Sequence, residues 1–175
     1  MISATDPTLG AALKTLRQNS ELGPRIIDME TAGFAVNIKP GPAGKLSRTE
    51  HLGLLAYDVF INSRADDVLA IAKYGVRGTN EVNSIAHELG HVFFEYVFDF
   101  KKKPLTGPPE ISLERLKEVL SETMARQWDN RTRPQGSKVR LRDTDGLDVP
   151  IPPGTFMDLI KSDLDPGPGL PPFWR

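Results

Sequence analysis

His87, Glu88 and His91 are the residues whose types and spacing most directly imply chemistry. Two imidazoles four positions apart on a helix lie on one face and can converge on a single tetrahedral cation. A carboxylate one position after the first imidazole can reach water at that cation without ligating the cation itself. There it can accept the proton as the water attacks a carbonyl carbon. The chemistry expected is metal-assisted hydrolysis, with His87 and His91 as ligands and Glu88 as the catalytic base. The chain has three histidines and no cysteine. A metal here must therefore be held by histidine, carboxylate or water, and disulfides and thiolate sites are excluded.

Such chemistry needs a buried helix under the motif. Gly78-Thr79-Asn80 marks its start, with Glu81 in the first turn. Val82, Ile85, Ala86, Leu89, Phe93, Tyr96 and Val97 give an apolar stripe through about Phe98, and Lys101-Lys102-Lys103-Pro104 closes it.

A catalytic zinc site normally takes three protein ligands. His51 is the remaining histidine, and its Ser47-Arg48-Thr49-Glu50 context reads as a solvated loop. Glu95 continues the four-residue series, but it lies eight residues beyond His87, about 12 Å along the axis, too far to share one ion. The third ligand is expected from another element. Pro108-Pro109 precedes a second long helix, capped by Ser112 and running to about Trp128. Glu114, Glu118, Glu122, Ala125 and Asp129 lie along one side of it, with Leu113, Leu116, Leu120, Met124 and Trp128 roughly opposite. An acidic stripe is ordinarily a solvated face. Here it follows the motif helix after a short connection, so an antiparallel pair would bring it to the metal. Glu122 is the favoured ligand, ahead of Glu118, because small Ala125 one turn later lets the helices approach. Asp129 is placed to orient a ligating histidine.

The remaining elements add up to α+β. Asp6-Pro7 starts a helix through Leu9, Ala12, Leu13 and Leu16; Gly23-Pro24 breaks the pattern, and Arg25 to Glu30 reads as a second short helix. Phe34, Val36 and Ile38 alternate as a strand ended by Pro40-Gly41-Pro42, and Leu54 to Asn62 is a second strand centred on Tyr57, Val59 and Ile61. Val68 to Tyr74 is ambiguous between strand and helix. Eight of the 15 prolines fall from Arg131 onward, so regular structure there is limited to a hairpin around Asp145-Gly146, joining Val139 and Leu141 to Val149 and Ile151. Pro166 to Arg175 reads as a tail laid over the surface. The expectation is one domain over 1–175, with 130–175 as hairpin and surface-wrapping tail.

With 26% charged residues and a formal net charge of -1, no field of one sign points to nucleic acid or an acidic membrane surface. No apolar run reaches the length of a membrane span. Met1 to Leu9 lacks the basic and apolar stretches of a Sec signal peptide.

On these residues the chain resembles the zincin metallopeptidases with a glutamate third ligand. Ile85-Ala86-His87-Glu88-Leu89-Gly90-His91-Val92-Phe93 looks like their active-site helix, and Ser121-Glu122-Thr123-Met124-Ala125 looks like the Glu-x-x-Ala pattern of their second helix. The resemblance implies a zincin-like fold: a small mixed sheet packed on the active-site helix, a second ligand-bearing helix, and the Pro/Gly-rich C-terminal hairpin and tail. It implies one Zn2+ per chain on His87, His91 and Glu122, with Glu88 as base. Substrate peptides in such enzymes add to a sheet edge, for which Tyr57 to Asn62 or Val68 to Ala72 are candidates. An oxyanion stabiliser is expected among Tyr57, Tyr74, Tyr96 and Arg126.

The chain also resembles bacterial effector metallopeptidases delivered into other cells by type III or type VI machinery. The shared features are the helix at Ala11 to Arg17, Gly23, the strand at Phe34 to Ile38, the mid-chain zinc helix and the closing Asp129-Asn130-Arg131. That resemblance implies a toxin or effector domain, cytoplasmic in its producer and secreted into a target cell's periplasm or cytoplasm. It would have a fused or docked secretion carrier, a protein or peptide substrate and an immunity protein. Three alternatives stay open: an intracellular regulatory peptidase cleaving a cognate repressor, a non-catalytic zinc-binding interaction module, and hydrolysis of cell-wall peptide.

Overall fold

The computed structural model describes residues 1–100 and 112–139. The Asp6 carboxylate accepts from the backbone N–H groups of Thr8 and Leu9 and starts helix α1, Pro7–Gln18, which buries Leu9, Ala12, Leu13 and Leu16. Helix α2, Leu22–Thr31, begins ahead of the expected Arg25, so Gly23 and Pro24 lie inside its first turn rather than before it. Proline is tolerated there because first-turn N–H groups have no intrahelical acceptor. Glycine is required at 23 because a Cβ would collide with the Arg17 carbonyl oxygen of α1.

Four strands follow the order β1-β2-β4-β3: β1 Ile2–Ala4, β2 Ala35–Pro40, β3 Arg48–Gly53 and β4 Ala56–Ile61. The first three in that order run parallel, and β3 pairs antiparallel with β4 at the edge. Strands β2 and β4 occupy the expected segments, and their register sets Val36 beside Tyr57 and Ile38 beside Val59. All four are buried on one face. The opposite face carries Asn37, Asp58 and Lys39, with a Lys39–Asp58 ion pair at 2.7 Å.

Strands β1 and β3 were not expected. β3 departs most from the sequence reading, since the segment around His51 is a strand and not a loop. Its polar residues face both ways, so it carries no apolar alternation to announce it.

Val68 to Tyr74 resolves as helix: α3 spans Ser63–Tyr74, capped by the Asn62 side chain accepting from the Ala65 N–H. Among its residues only Ala70 is buried. Helix α4, Glu81–Glu95, starts with a reciprocal cap in which Asn80 accepts from the backbone at Asn83 and Asn83 accepts from the backbone at Asn80. It packs against β3, β4 and α1 as well as against α5, Leu113–Thr132. Its apolar residues are therefore covered nearly all round, including Ile85, Ala86, Leu89, Val92 and Phe93. A wider π-helical turn, Tyr96–Phe100, continues it. Ser112 caps α5 as expected, and that helix runs past Trp128 to Thr132.

The architecture is α+β: a four-stranded mixed sheet with helices, α4 lying between the sheet and α5. No helix among the described residues is long and apolar enough to cross a membrane. The expected Lys101-Lys102-Lys103-Pro104 stop, Pro108-Pro109, the hairpin around Asp145-Gly146 and the tail from Pro166 lie outside the described residues. Of the expected tail, the described part folds back on α5: Asn130 and Val139 exchange hydrogen bonds of 2.8 and 2.6 Å, and Val139 is buried.

Candidate metal centre

The tight crossing of α4 and α5 creates the site. A Cβ at Gly90 would stand 2.6 Å from the Ala125 Cα, closer than such carbons approach, so only glycine lets the helix axes meet here. His87 and His91 flank that crossing from α4, and Glu122 faces them one turn before Ala125 on α5. Glu122 Oε2 lies 3.7 Å from His87 Nε2 and 3.6 Å from His91 Nε2. One ligand atom from each of the three residues falls within 4.8 Å of the others, so the group could hold a metal ion. Ligand atoms about 2.05 Å from a tetrahedral zinc stand roughly 3.3 Å apart, so small side-chain adjustments would close the set. Glu118, the second choice from sequence, is turned outward and pairs with Arg115 at 2.7 Å. The acidic side of α5 thus has both characters: solvated at Glu114 and Glu118, inward at Glu122 and Asp129.

The electrostatics are those of a site that holds a proton where a cation would sit. Burial alone would push the His87 imidazole down, but the Glu122 carboxylate beside it and the other surrounding carboxylates outweigh this and raise it to about 9. His91 goes the other way, to about 4, through burial and then the charge on His87. Burial opposes the ionised form of Glu122, yet the two imidazoles and Arg126 together hold that carboxyl down at about 2. A cation would take over this stabilising role by displacing the proton.

Glu88 is buried at 5% exposure beside the ligands. Burial raises its pKa, the His87 charge and a Thr49 hydrogen bond opposing. The Thr49 hydroxyl of β3 donates to Glu88 Oε2 at 2.7 Å. On antiparallel β3 and β4, Thr49 pairs with Val59 and His51 with Tyr57, so both side chains share the face turned toward α4. His91 Nδ1 meets the Ser121 hydroxyl at 2.8 Å. That role had been expected of Asp129 toward a histidine. Asp129 instead accepts from Arg133 Nε at 2.7 Å, with both side chains almost fully enclosed.

A cleft of about 530 Å³ opens over these groups, bounded by β3, α3, α4 and α5. Its α3 side is held by Asp66, which accepts from the Ser47 N–H and hydroxyl and from the Ser84 hydroxyl. Of the four oxyanion candidates, Tyr74 and Arg126 line the cleft. Tyr57 and Tyr96 are buried in the core, the first stacked on Phe34 and the second edge-on to it. Arg126 donates through Nε to Glu122 Oε1 at 2.9 Å. His51, on the rim, stacks on Tyr57 with ring centroids 4.7 Å apart. Both edge segments expected to take a peptide are corrected. Tyr57 to Asn62 belongs to β4, enclosed between β2 and β3, and Val68 to Ala72 is helical. Among the described residues, the edge strand beside the cleft is β3.

No protein-family model, curated protein or solved structure matches this chain. Any functional assignment therefore rests on the residues of the site themselves. Sequence reasoning missed Thr49, Ser121, Asp66 and Ser84. Of these only Ser121 had a signal, as the neighbour of the chosen glutamate.

Proposed function

We propose that this chain is a zinc-dependent peptidase that hydrolyses peptide bonds in a protein substrate as an effector or toxin domain. The observation that supports it most is the convergence of His87, His91 and Glu122 beside a buried glutamate with an elevated pKa, next to a strand that lies at the sheet's edge among the described residues. The donor set fits the ion, since two imidazoles and a carboxylate with one position left open are zinc's usual catalytic complement. Bound there, zinc would supply Lewis acidity that makes water nucleophilic near neutral pH and polarises the carbonyl under attack.

The chain's own residues supply the rest. Glu88 accepts the proton from the attacking water and returns it to the departing amine, a task suited to a carboxyl whose pKa burial raises. Thr49 keeps that carboxylate aimed across the cleft. Strand β3 is an edge strand among the described residues, and an extended peptide can add to such an edge as a further strand over the base. Tyr74 and Arg126, which line the cleft, are the candidate donors to a developing oxyanion. The setting of delivery into a target cell, with a carrier and an immunity partner, rests on the sequence resemblance.

The deciding experiment pairs metal content with activity. Glu88→Ala is expected to retain one zinc per chain and to lose about 10²–10⁴-fold in hydrolysis, the range for a positioned acid–base group. Directed to the cytoplasm and to the periplasm of a susceptible cell, the native chain should be toxic in at least one compartment and Glu88→Ala in neither. A fully toxic Glu88→Ala sinks this reading.

A further inference from the structure

The helical stripe that carries the ligands does not stop at His91. Asn83, His87, His91 and Glu95 succeed one another every four residues along α4, and all four line the cleft. From Asn83 to Glu95 the axis advances about 18 Å, the reach of about five extended residues. A bound peptide would therefore pass from the metal centre over Glu95.

The carboxylates along that path differ in what balances them. Glu122 has Arg126 and the imidazoles, and Asp129 has Arg133. Asp66 has neutral partners, Ser47 and Ser84, which occupy both of its oxygens. Glu95 has a neutral partner: the Tyr57 hydroxyl donates to Oε2 at 2.6 Å. Burial, and then this contact, push the Tyr57 phenol well above its usual range, so it stays protonated and fixes the carboxylate without cancelling its charge. The His51 ring stands 4.0 Å from the same oxygen and stacks flat on Tyr57, making a wall behind it. The Glu95 side chain remains 36% exposed, and among the described residues no hydrogen bond reaches Oε1. At the other end of the cleft, beside the start of α4, Arg133 is taken up by Asp129 and Thr79.

Building on the peptidase reading, we propose that Glu95 is the specificity-determining residue of the cleft. It selects a lysine or arginine side chain at the peptide position seated beyond the metal centre, toward the C-terminal end of α4. The Tyr57 hydroxyl and the His51 ring act as positioning groups that present its free oxygen.

The test separates binding from turnover. Zinc-loaded full-length Glu88→Ala serves as a non-hydrolysing trap for fluorescent octapeptides that differ only by Lys, Gln or Glu at one position, scanned along the peptide. At one position Lys should bind about two- to fivefold more tightly than Gln, as a partly exposed charge pair allows. Adding Glu95→Gln, which keeps an acceptor for Tyr57, should abolish that preference. Adding Glu95→Lys should reverse it toward Glu. Equal binding of Lys and Gln peptides at every position overturns the proposal. So does a preference that survives Glu95→Gln, or failure of all peptides to bind. The native chain is then given the same peptides. Charge-selective binding without cleavage would refute the peptidase reading while leaving Glu95 as a cation-selecting site. Cleavage without charge preference would refute only the role of Glu95.

Discussion

The crossing of α4 over α5 and the rim formed by β3 and α3 meet at the same cleft but are built differently. At the crossing, position is enforced by packing. Gly90 lies against Ala125, and Ile85, Leu89, Met124 and Trp128 are fully enclosed. At the rim, position is enforced by single hydrogen bonds: Thr49 to Glu88, Ser47 and Ser84 to Asp66, Tyr57 to Glu95. Close packing tolerates little change in volume, whereas a hydrogen bond can be removed without collapse. Damage to the crossing should therefore cost metal and fold, and damage to the rim should cost turnover or selectivity.

The largest effect separates the two glutamates of α5. Glu122→Ala should reduce bound zinc from one per chain to near zero by elemental analysis, and Glu118→Ala should leave it unchanged. Retention by the first and loss by the second would move the ligand one turn along the helix and undo the packing account of the crossing. Next comes Gly90→Ala. Its methyl must displace Ala125, so unfolding in denaturant should show a loss of about 1–3 kcal/mol, the usual cost of overpacking. An unchanged midpoint would mean that the helices are free to part.

At the rim, Thr49→Val should keep full zinc and native stability while lowering kcat about tenfold to a hundredfold, with KM little altered; a hydrogen bond to a charged group is worth about 1.5–3 kcal/mol. Thr49→Ser should restore most of it. Equal loss in both would mean that Thr49 acts through packing, as the crossing does.

The smallest effect is a pH dependence. In the metal-free protein the folded pKa of His87 is raised to about 9 from 6.5, and that of Glu122 is lowered to about 2 from 4.5. The His87 contribution to stability is complete below pH 6.5 and lost as pH rises toward 9. The Glu122 contribution is complete above pH 4.5 and lost as pH falls toward 2. Both are fully present only between about 4.5 and 6.5. Zinc must displace the His87 proton, so its affinity should rise by about one decade per pH unit from 6 to 8. Competition titrations showing a flat affinity would remove the proton from the crossing.

How much of this was legible in advance follows the same division. The caps at Asp6, Asn80 and Ser112, the alternation of Val36 and Ile38, and the small residue at Ala125 are local signals, and each marked its element. Gly23-Pro24 misled because proline breaks a helix in its interior but not in its first turn. β3 stayed hidden because Arg48, Thr49, Glu50 and His51 are polar on both sides. Its identity as a strand comes from β4, not from its own pattern. Asp129 was assigned to a histidine on helical phase alone, and phase could not reveal that Arg133, one turn later on the chain, would take its carboxylate.

What the sequence alone determined is the pair of imidazoles with the adjacent glutamate. Helix geometry makes residues four apart neighbours whatever surrounds them. What only the tertiary structure decided is which acidic residue faces that pair, which strand lies beside it, and which hydroxyl holds Glu88. Those contacts join residues roughly 30 to 40 positions apart. No periodicity of the chain encodes them. They follow from how closely two helices can pack and from which strand is left at the sheet's edge.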